Sequence, residues 1–418
     1  MKIAIVSFLV DPHLGGGAAT SAVRIADGLM SRGHEVIIIT TGPDKGLVED
    51  LESGRRTYRF RPANLYWIGD KERQPLAKRA LWQVVDIWNP HVFLTVRRLL
   101  VKERPDVVHV QKLRGLSPAV WSAAFAANVN AIVHTCRDYE LMSPEGTLSG
   151  VLGSWARRGT WPIVPYQYVR RRASRHVNVV TAPSRYTLDL HVNSGFFRSS
   201  KKMVIPNSHG VSLIALRARR EEWLRRHAAL DDHDRGLRIL YIGRIESSKG
   251  VEDLFEAFTT CANIHPDLQL ELAGWGSLEA ELQKQYGGRP GVHFHGAVFG
   301  DKKERIIDSA DVVIVPSRGH EVFGNVIVEA FARGKPVIAT RAGGMPELIE
   351  PGKTGFLVSE ANVPELAAAI SWCATNREAL RSMAMACFDA AERFTLDRVT
   401  DMYEEAYFTA LERPGRSE

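Results

Sequence analysis

Two separate runs of short apolar segments, each alternating with amphipathic helical patterns, constrain what this chain can fold into. The first run opens with "KIAIVSFLV", a glycine-rich loop "DPHLGGGAAT" and the helical pattern "SAVRIADGLMSRG", with Gly33 where a helix stop belongs. It continues through "HEVIIIT", "PDVVHV" and "NAIVHT", with "SPAVWSAAFAAN" as a helix between the last two. The second run reads "LRILYIGR", "LQLELAG", "GVHFHG", "DVVIVPS", "KPVIAT" and "TGFLVS". Strands that are apolar along their whole length, separated by helices, predict parallel sheets covered on both faces. The fold class is α/β, with two Rossmann-like, doubly wound domains over residues 1–207 and 208–390. The charged helical stretch 212–234 is the expected connection. Two such domains facing each other leave a cleft at the strands' C-terminal ends, where these sheets bind ligands.

A chain of 418 residues exceeds one ordinary core, which agrees with two domains. Apolar residues make up 45% and charged residues 24%, so disorder is excluded. No apolar run reaches the ~18 residues of a membrane span. Asp11 and His13 cut the first apolar run short, so it reads as a buried strand rather than a secretory signal. Cys136, Cys261, Cys373 and Cys387 form no CxxC pair and are expected to be reduced and buried, as in the cytoplasm.

The net charge of +6 is unevenly spread. Residues 1–205 carry 29 Lys and Arg against 16 Asp and Glu, and the remainder 25 against 32. Between Gly146 and Leu188 there is no acidic residue, yet Arg157, Arg158, Arg170, Arg171, Arg172, Arg175 and Arg185 fall there. Trp155, Trp161, Tyr166 and Tyr168 are mixed among them. A basic surface with interfacial aromatics suits an anionic membrane face. A solvated, Arg-rich helical face is the alternative. No nucleic-acid motif accompanies the charge, so nucleic acid is not an expected partner.

Chemistry-bearing residues gather after strands. Gly15, Gly16 and Gly17 follow the first strand and precede a helix, where backbone N–H groups can approach an anion. Thr20 replaces the last glycine of a dinucleotide fingerprint. Arg244 and Lys249 in "GRIESSKG" place two cations after another strand, suited to a diphosphate. In "HEVFGNVIVEA", Glu321 follows a strand, Gly324 and Asn325 begin a helix, and Glu329 lies one turn on from Asn325. Carboxylates there can accept hydroxyl hydrogen bonds from ribose and sugar. The pattern fits a nucleotide-sugar clamp.

These spaced motifs, with "ELAGWGSLE", "ADVVIVPSRGHEVFGNVIVEAFARGKPVIATRAGGMPELI" and "GKTGFLV", resemble the donor half of retaining glycosyltransferases of family 4, GT-B fold. The resemblance covers nearly the whole chain. It implies that Arg244 and Lys249 bind the donor diphosphate, Glu321 contacts the transferred sugar and Glu329 holds the ribose. It places Phe323, Gly324, Asn325 and Val326 near sugar and phosphate, with Gly16 and Gly17 facing the donor from the first domain. Residues 391–418 are similar to the family's tail, a helix that returns to the first domain. The family's usual first-domain histidine is missing: His134 stands three residues early, and Arg137 and Asp138 occupy its place. All three are candidate catalytic residues, and His134 is equally readable as a strand residue with a satisfied side chain. "HTCRDYELMSP" looks most like enzymes of bacterial surface-polysaccharide assembly.

The implied reaction moves a hexose-type sugar from a nucleoside diphosphate to an acceptor hydroxyl with retention, the departing phosphate taking the acceptor's proton. The acceptor is read as a glycan or lipid-linked glycan, with the enzyme cytoplasmic and peripheral at the inner membrane face. No cofactor or metal is required: "DDHD", Asp231–Asp234, reads as polar connection. A nucleotide-sugar epimerase and a silent nucleotide-sugar-binding protein are the rivals. A nicotinamide dehydrogenase is disfavoured by the absent glycine fingerprint.

Overall fold

In the computed structural model, which describes residues 1–10, 16–52, 54–161, 163–227 and 236–412, the chain divides into two compact units. One comprises Met1–Asn207 with Asp397–Glu418, and the other Ser208–Leu396. The loop residues 11–15, Gly15 among them, and the "DDHD" segment lie outside the described residues.

The first unit holds eight strands: β1 (Lys2–Ser7), β2 (Glu35–Thr41), β3 (Leu47–Glu52), β4 (Arg55–Phe60), β5 (Val107–Lys112), β6 (Ala131–Thr135), β7 (Val179–Ala182) and β8 (Lys201–Val204). Their order is β3-β4-β2-β1-β5-β6-β7-β8. Every pairing is parallel except β3 with β4. β1, expected to run on to Val10, stops at Ser7. Phe8 N bonds Lys112 O at 3.0 Å, and Leu9 turns the chain with a φ of 42°. The second unit holds β9 (Arg238–Arg244), β10 (Gln269–Trp275), β11 (Val292–Gly296), β12 (Val312–Val315), β13 (Val337–Thr340) and β14 (Gly355–Val358). All are parallel, in the order β11-β10-β9-β12-β13-β14.

Burial explains the strand composition. Ile3, Ile5, Val107, Val133 and Val179 form one buried layer with Val399, Tyr403, Ala406 and Tyr407 of the last helix, Leu396–Leu411. That helix is fixed to the first unit by polar links as well. Tyr407 Oη meets His109 Nδ1 at 2.8 Å, and His34 Nε2 meets Glu404 at 2.6 Å. In the second unit, helices on one face (Val251–Ala262, Val363–Thr375) and on the other (Asn325–Phe331, Arg377–Ala391) enclose β9, β12 and β13 between two apolar clusters. All four cysteines are buried and free.

The start of β1 is anchored by one carboxylate. Glu103, the last residue of helix Pro90–Glu103, accepts from Lys2 Nζ at 2.7 Å, from Arg56 at 3.0 Å and from Tyr58. Burial pushes its pKa up, but the hydrogen bonds from Lys2 and Tyr58 and the charges of Lys2 and Arg56 outweigh it, holding it at about 2. A folded-state pKa below the unfolded one gives stability that is present above about pH 4.5 and lost as pH falls toward 2. Glu103→Gln keeps the shape but removes the charge that Lys2 and Arg56 share, leaving them with Glu35 and Glu49. It is expected to lower stability by ~1–3 kcal/mol at neutral pH and to flatten the loss between pH 4.5 and 2, read by denaturant titration across pH.

Candidate functional site

In the second unit the sheet order turns about at β9 and β12, which are parallel neighbours. Chain segments leaving two such strands diverge to opposite faces and open a crevice above their C-terminal ends. After β9 the chain makes a turn, Ser247–Lys249, and enters helix Val251–Ala262 through Gly250. Gly250 has a φ of 66°, and a Cβ there would overlap Pro316 O. The turn can therefore press against the end of β12, and Arg318 N bonds Ser248 O at 2.9 Å. Lys249 Nζ then lies 2.6 Å from Glu321 Oε2.

Glu321 sits in a turn held from several sides. Arg318 reaches back to both carboxylate oxygens of Asp253, with Nε to Oδ2 at 2.7 Å. Gly319 N bonds Glu360 at 2.6 Å. Gly344 N bonds Glu321 O at 2.8 Å, and a Cβ on Gly343 (φ 58°) would overlap the Glu321 backbone. Only glycine lets the loop after β13 cross so closely.

Arg244, the last residue of β9, is half-exposed and pairs with Glu246. Its guanidinium lies 5.8 Å from the ring of Trp275, which ends β10 and packs against Phe299 at 5.7 Å. Gly324 caps helix Asn325–Phe331, with Asn325 and Val326 in its first turn. Phe323, expected beside the sugar, turns its ring into the core against Phe394, 6.0 Å away, so only its backbone remains at the turn. Glu329 is nearly buried, and Lys303 Nζ holds it at 2.6 Å. The structure thus brings Lys249 and Glu321 together, and gives Arg244 and Glu329 their own partners, Glu246 and Lys303.

The first unit carries the other candidates at the C-terminal edge of its sheet. Gly16 and Gly17 open helix Gly16–Ser31, where Thr20 and Ser21 hydroxyls donate to their carbonyls at 3.2 and 2.9 Å. Arg137 is buried and donates to Gln111 at 3.2 Å, to Tyr403 Oη at 3.2 Å and to Asn207. Asp138 pairs with Lys112 at 3.2 Å and accepts from Glu140 N at 2.9 Å. Glu140 is buried, with one carboxylate oxygen bonded to Leu113 N and the other without a partner. Burial, and then the charge of Asp138, push its pKa up to about 8.

His134 requires a correction. It lies in β6, 2% exposed, with Phe197 stacked at 5.3 Å and Trp121 edge-on at 5.0 Å. Burial and the nearby His191, His109 and Arg137 push its pKa well down. A ring closed off this way is a neutral core residue and cannot reach a substrate. Arg170 and Tyr166, counted in the basic stretch, are interior rather than surface residues. Arg170 is 1% exposed, 3.3 Å from the Asp86 carboxylate, and stacks over the buried Tyr166 at 4.1 Å. Both belong to the interior, whereas Trp161 and Tyr168 are exposed. Among the described residues no helix is long and apolar enough to cross a membrane.

Four site neighbours escaped the sequence reading. Lys112 and Trp275 are the last residues of β5 and β10, and the rule that pointed to Arg244 would have found them. Glu140 and Lys303 carry no local signal.

Comparison with known proteins bears on the whole chain. Residues 16–208 match the family model of the glycosyl transferase 4-like domain, and residues 236–376 that of glycosyl transferases group 1. An uncharacterized glycosyltransferase of Methanocaldococcus jannaschii is 29% identical over 427 aligned residues, covering 100% of both chains. A phosphatidyl-myo-inositol mannosyltransferase of Mycobacterium leprae is 26% identical, over 94% of this chain and 93% of its own. Among solved structures, Anabaena HepE in complex with UDP superposes with a TM-score of 0.68 at 20% identity, covering 98% of this chain and 100% of that one. Two parallel α/β units, both matched by glycosyltransferase models, place the chain among the GT-B glycosyltransferases.

Proposed function

We propose that the protein is a retaining hexosyltransferase of family 4 that moves a sugar from a nucleoside-diphosphate sugar to an acceptor hydroxyl. The observation that carries this reading is the Lys249–Glu321 pair above the β9–β12 crevice, with Arg244 at the end of β9. Cations and a carboxylate delivered to one edge suit a diphosphate joined to a hydroxylated ring. HepE, of the same fold, binds UDP, and the matched models describe transferases, which favours transfer over the epimerase and silent-binding readings.

In this mechanism Arg244 and Lys249 neutralise the charge that grows on the departing diphosphate as the sugar C1–O bond breaks. The acceptor oxygen forms the new bond to C1 from the same face, and its proton passes to the β-phosphate oxygen that leaves. Glu321 orients the sugar hydroxyls and Glu329 the ribose. Trp275 offers a flat ring beside the base or ribose. Phe323 contributes backbone only, with Gly324, Asn325 and Val326 lining the same turn. In the first unit, Gly16, Gly17, Arg137 and Asp138 serve the donor and the acceptor. No metal or cofactor takes part. The name of the M. leprae relative, a phosphatidyl-myo-inositol mannosyltransferase, supports a glycan or lipid-linked acceptor; the enzyme works in the cytoplasm, peripheral at the inner membrane face.

Calorimetric titration with UDP, GDP, ADP, CDP and dTDP in EDTA tests the donor site. One nucleotide is expected to bind at micromolar Kd, weakened by about tenfold to a hundredfold in Arg244→Ala and Lys249→Ala, the worth of a hydrogen bond to a charged group. Binding to none, or binding only on adding a divalent ion, would overturn the metal-free diphosphate site.

Glu321→Gln separates sugar recognition from diphosphate binding. The substitution frees Lys249 from its present partner, so affinity for the bare diphosphate is expected to hold or rise. Transfer is expected to fall by about a hundredfold or more, the order seen on removing one transition-state contact. Loss of diphosphate affinity in this variant would make Glu321 a structural residue.

A further inference from the structure

A second cluster of cations lies in the first unit, at the other end of the sheet from the residues described above. A cavity of about 480 Å³ is lined by Arg171, Arg172, Arg175 and Arg198, with Tyr168 and Ser199 among its other walls. Arg175 precedes β7, and Gly195, Arg198 and Ser199 precede β8, so the cavity opens at the N-terminal edge of the parallel strands. Arg137 and Asp138 follow β6 and belong to the opposite edge. This site is therefore separate from the transfer chemistry and does not rest on it.

Two of these arginines, Arg171 and Arg198, meet beside Gly195. Gly195 has a φ of 85°, and a Cβ placed on it would lie 3.6 Å from Arg198 Nη2 and 3.7 Å from Arg171 Cδ and Nε. Arg171 is oriented by Gln167, which accepts from its Nη2, and by the ring of Phe196 at 5.4 Å. Its Nε is buried and has no hydrogen-bond partner. None of the four arginines forms an ion pair with a carboxylate among the described residues. Three of them, Arg171, Arg172 and Arg175, also lie in the stretch from Gly146 to Leu188 that has no acidic residue of its own. Burial, and then the charge of Arg198, lower the pKa of Arg171. The dipole at the C-terminus of helix Ile163–Ala173 favours arginines in its last turn. It does not account for Arg175 and Arg198, which come from other segments and close the cavity.

We propose that this cavity is a phosphate-binding site, taking a phosphate group either free or carried on a lipid headgroup. Phosphate suits it better than a carboxylate, because its tetrahedral oxygens can satisfy several guanidinium forks at once. Exposed Tyr168 on its rim and Trp161 on the same stretch of chain are side chains that favour a headgroup layer.

The test uses the full chain and Arg175→Gln/Arg198→Gln, both exposed positions whose loss spares the core. Inorganic phosphate is titrated calorimetrically into each, and each is sedimented with vesicles of phosphatidylglycerol or of phosphatidylcholine. Phosphate affinity is expected to drop tenfold or more in the variant, with melting temperature and nucleoside-diphosphate binding unchanged. If sedimentation with phosphatidylglycerol alone falls alongside it, the site holds a lipid headgroup. If phosphate binding falls and vesicle binding does not, it holds a free phosphate. Arg172→Gln provides a second, independent loss should the double variant melt early. Equal phosphate and vesicle binding by wild type and variants would overturn the site.

Discussion

The adjacency of β9 and β12 is the constraint on which the candidate donor site depends. Parallel strands put every C-terminal end on one edge, and a sheet that grows both ways from its first strand leaves a crevice where the growth reverses. In the second unit that reversal brings Lys249 onto Glu321, 72 positions away in sequence. The first unit has the same reversal between β1 and β5. The chain leaving β1 is tied there to Lys112 at the end of β5, and Lys112 in turn pairs with Asp138 after β6. One topological rule thus accounts for charged residues at the same edge in both units.

The candidate charges at the second-unit edge each have a partner without a ligand. Lys249 has Glu321, Arg244 has Glu246 and Glu329 has Lys303. The partly exposed Lys249–Glu321 and Arg244–Glu246 pairs contribute little to stability, on the order of 0–1 kcal/mol each. Exchanging a carboxylate partner for a diphosphate therefore costs little and releases Glu321 toward a hydroxyl. The surrounding turn is built more rigidly than the pair it carries. The two-point Arg318–Asp253 contact and the close crossing at Gly343 fix the backbone, so the side chains can change partners while the site keeps its geometry.

How much of this was legible in the sequence follows from how each element is stabilised. β9, β12 and β13 are buried on both faces and read as unbroken apolar runs. The antiparallel β3–β4 edge was not legible, because "LVEDLE" and "RRTYRF" put charges along strands whose partners lie across a turn. Glu321, Arg244 and Lys249 were legible because a strand end announces its edge. Phe323 shared that address, yet its ring went to the core against Phe394, a contact 71 residues away that no local pattern encodes. His134 likewise looked like chemistry and is packing, since Trp121 and Phe197 close over it from distant segments.

The arginine-rich stretch shows why charge counted along a chain is a poor guide to charge on a surface. Arg170 and Arg171 are neighbours in sequence, but a helix turns successive side chains about 100° apart. Arg170 faces inward to Asp86, 84 positions earlier, where burial lifts that carboxyl's pKa to about 7 against the pull of Arg170 and Arg114. Arg171 faces the cavity, where its nearest ionised neighbour is another arginine. The first is neutralised by the fold. The second is left by the fold beside a charge of its own sign, with no carboxylate paired to it among the described residues.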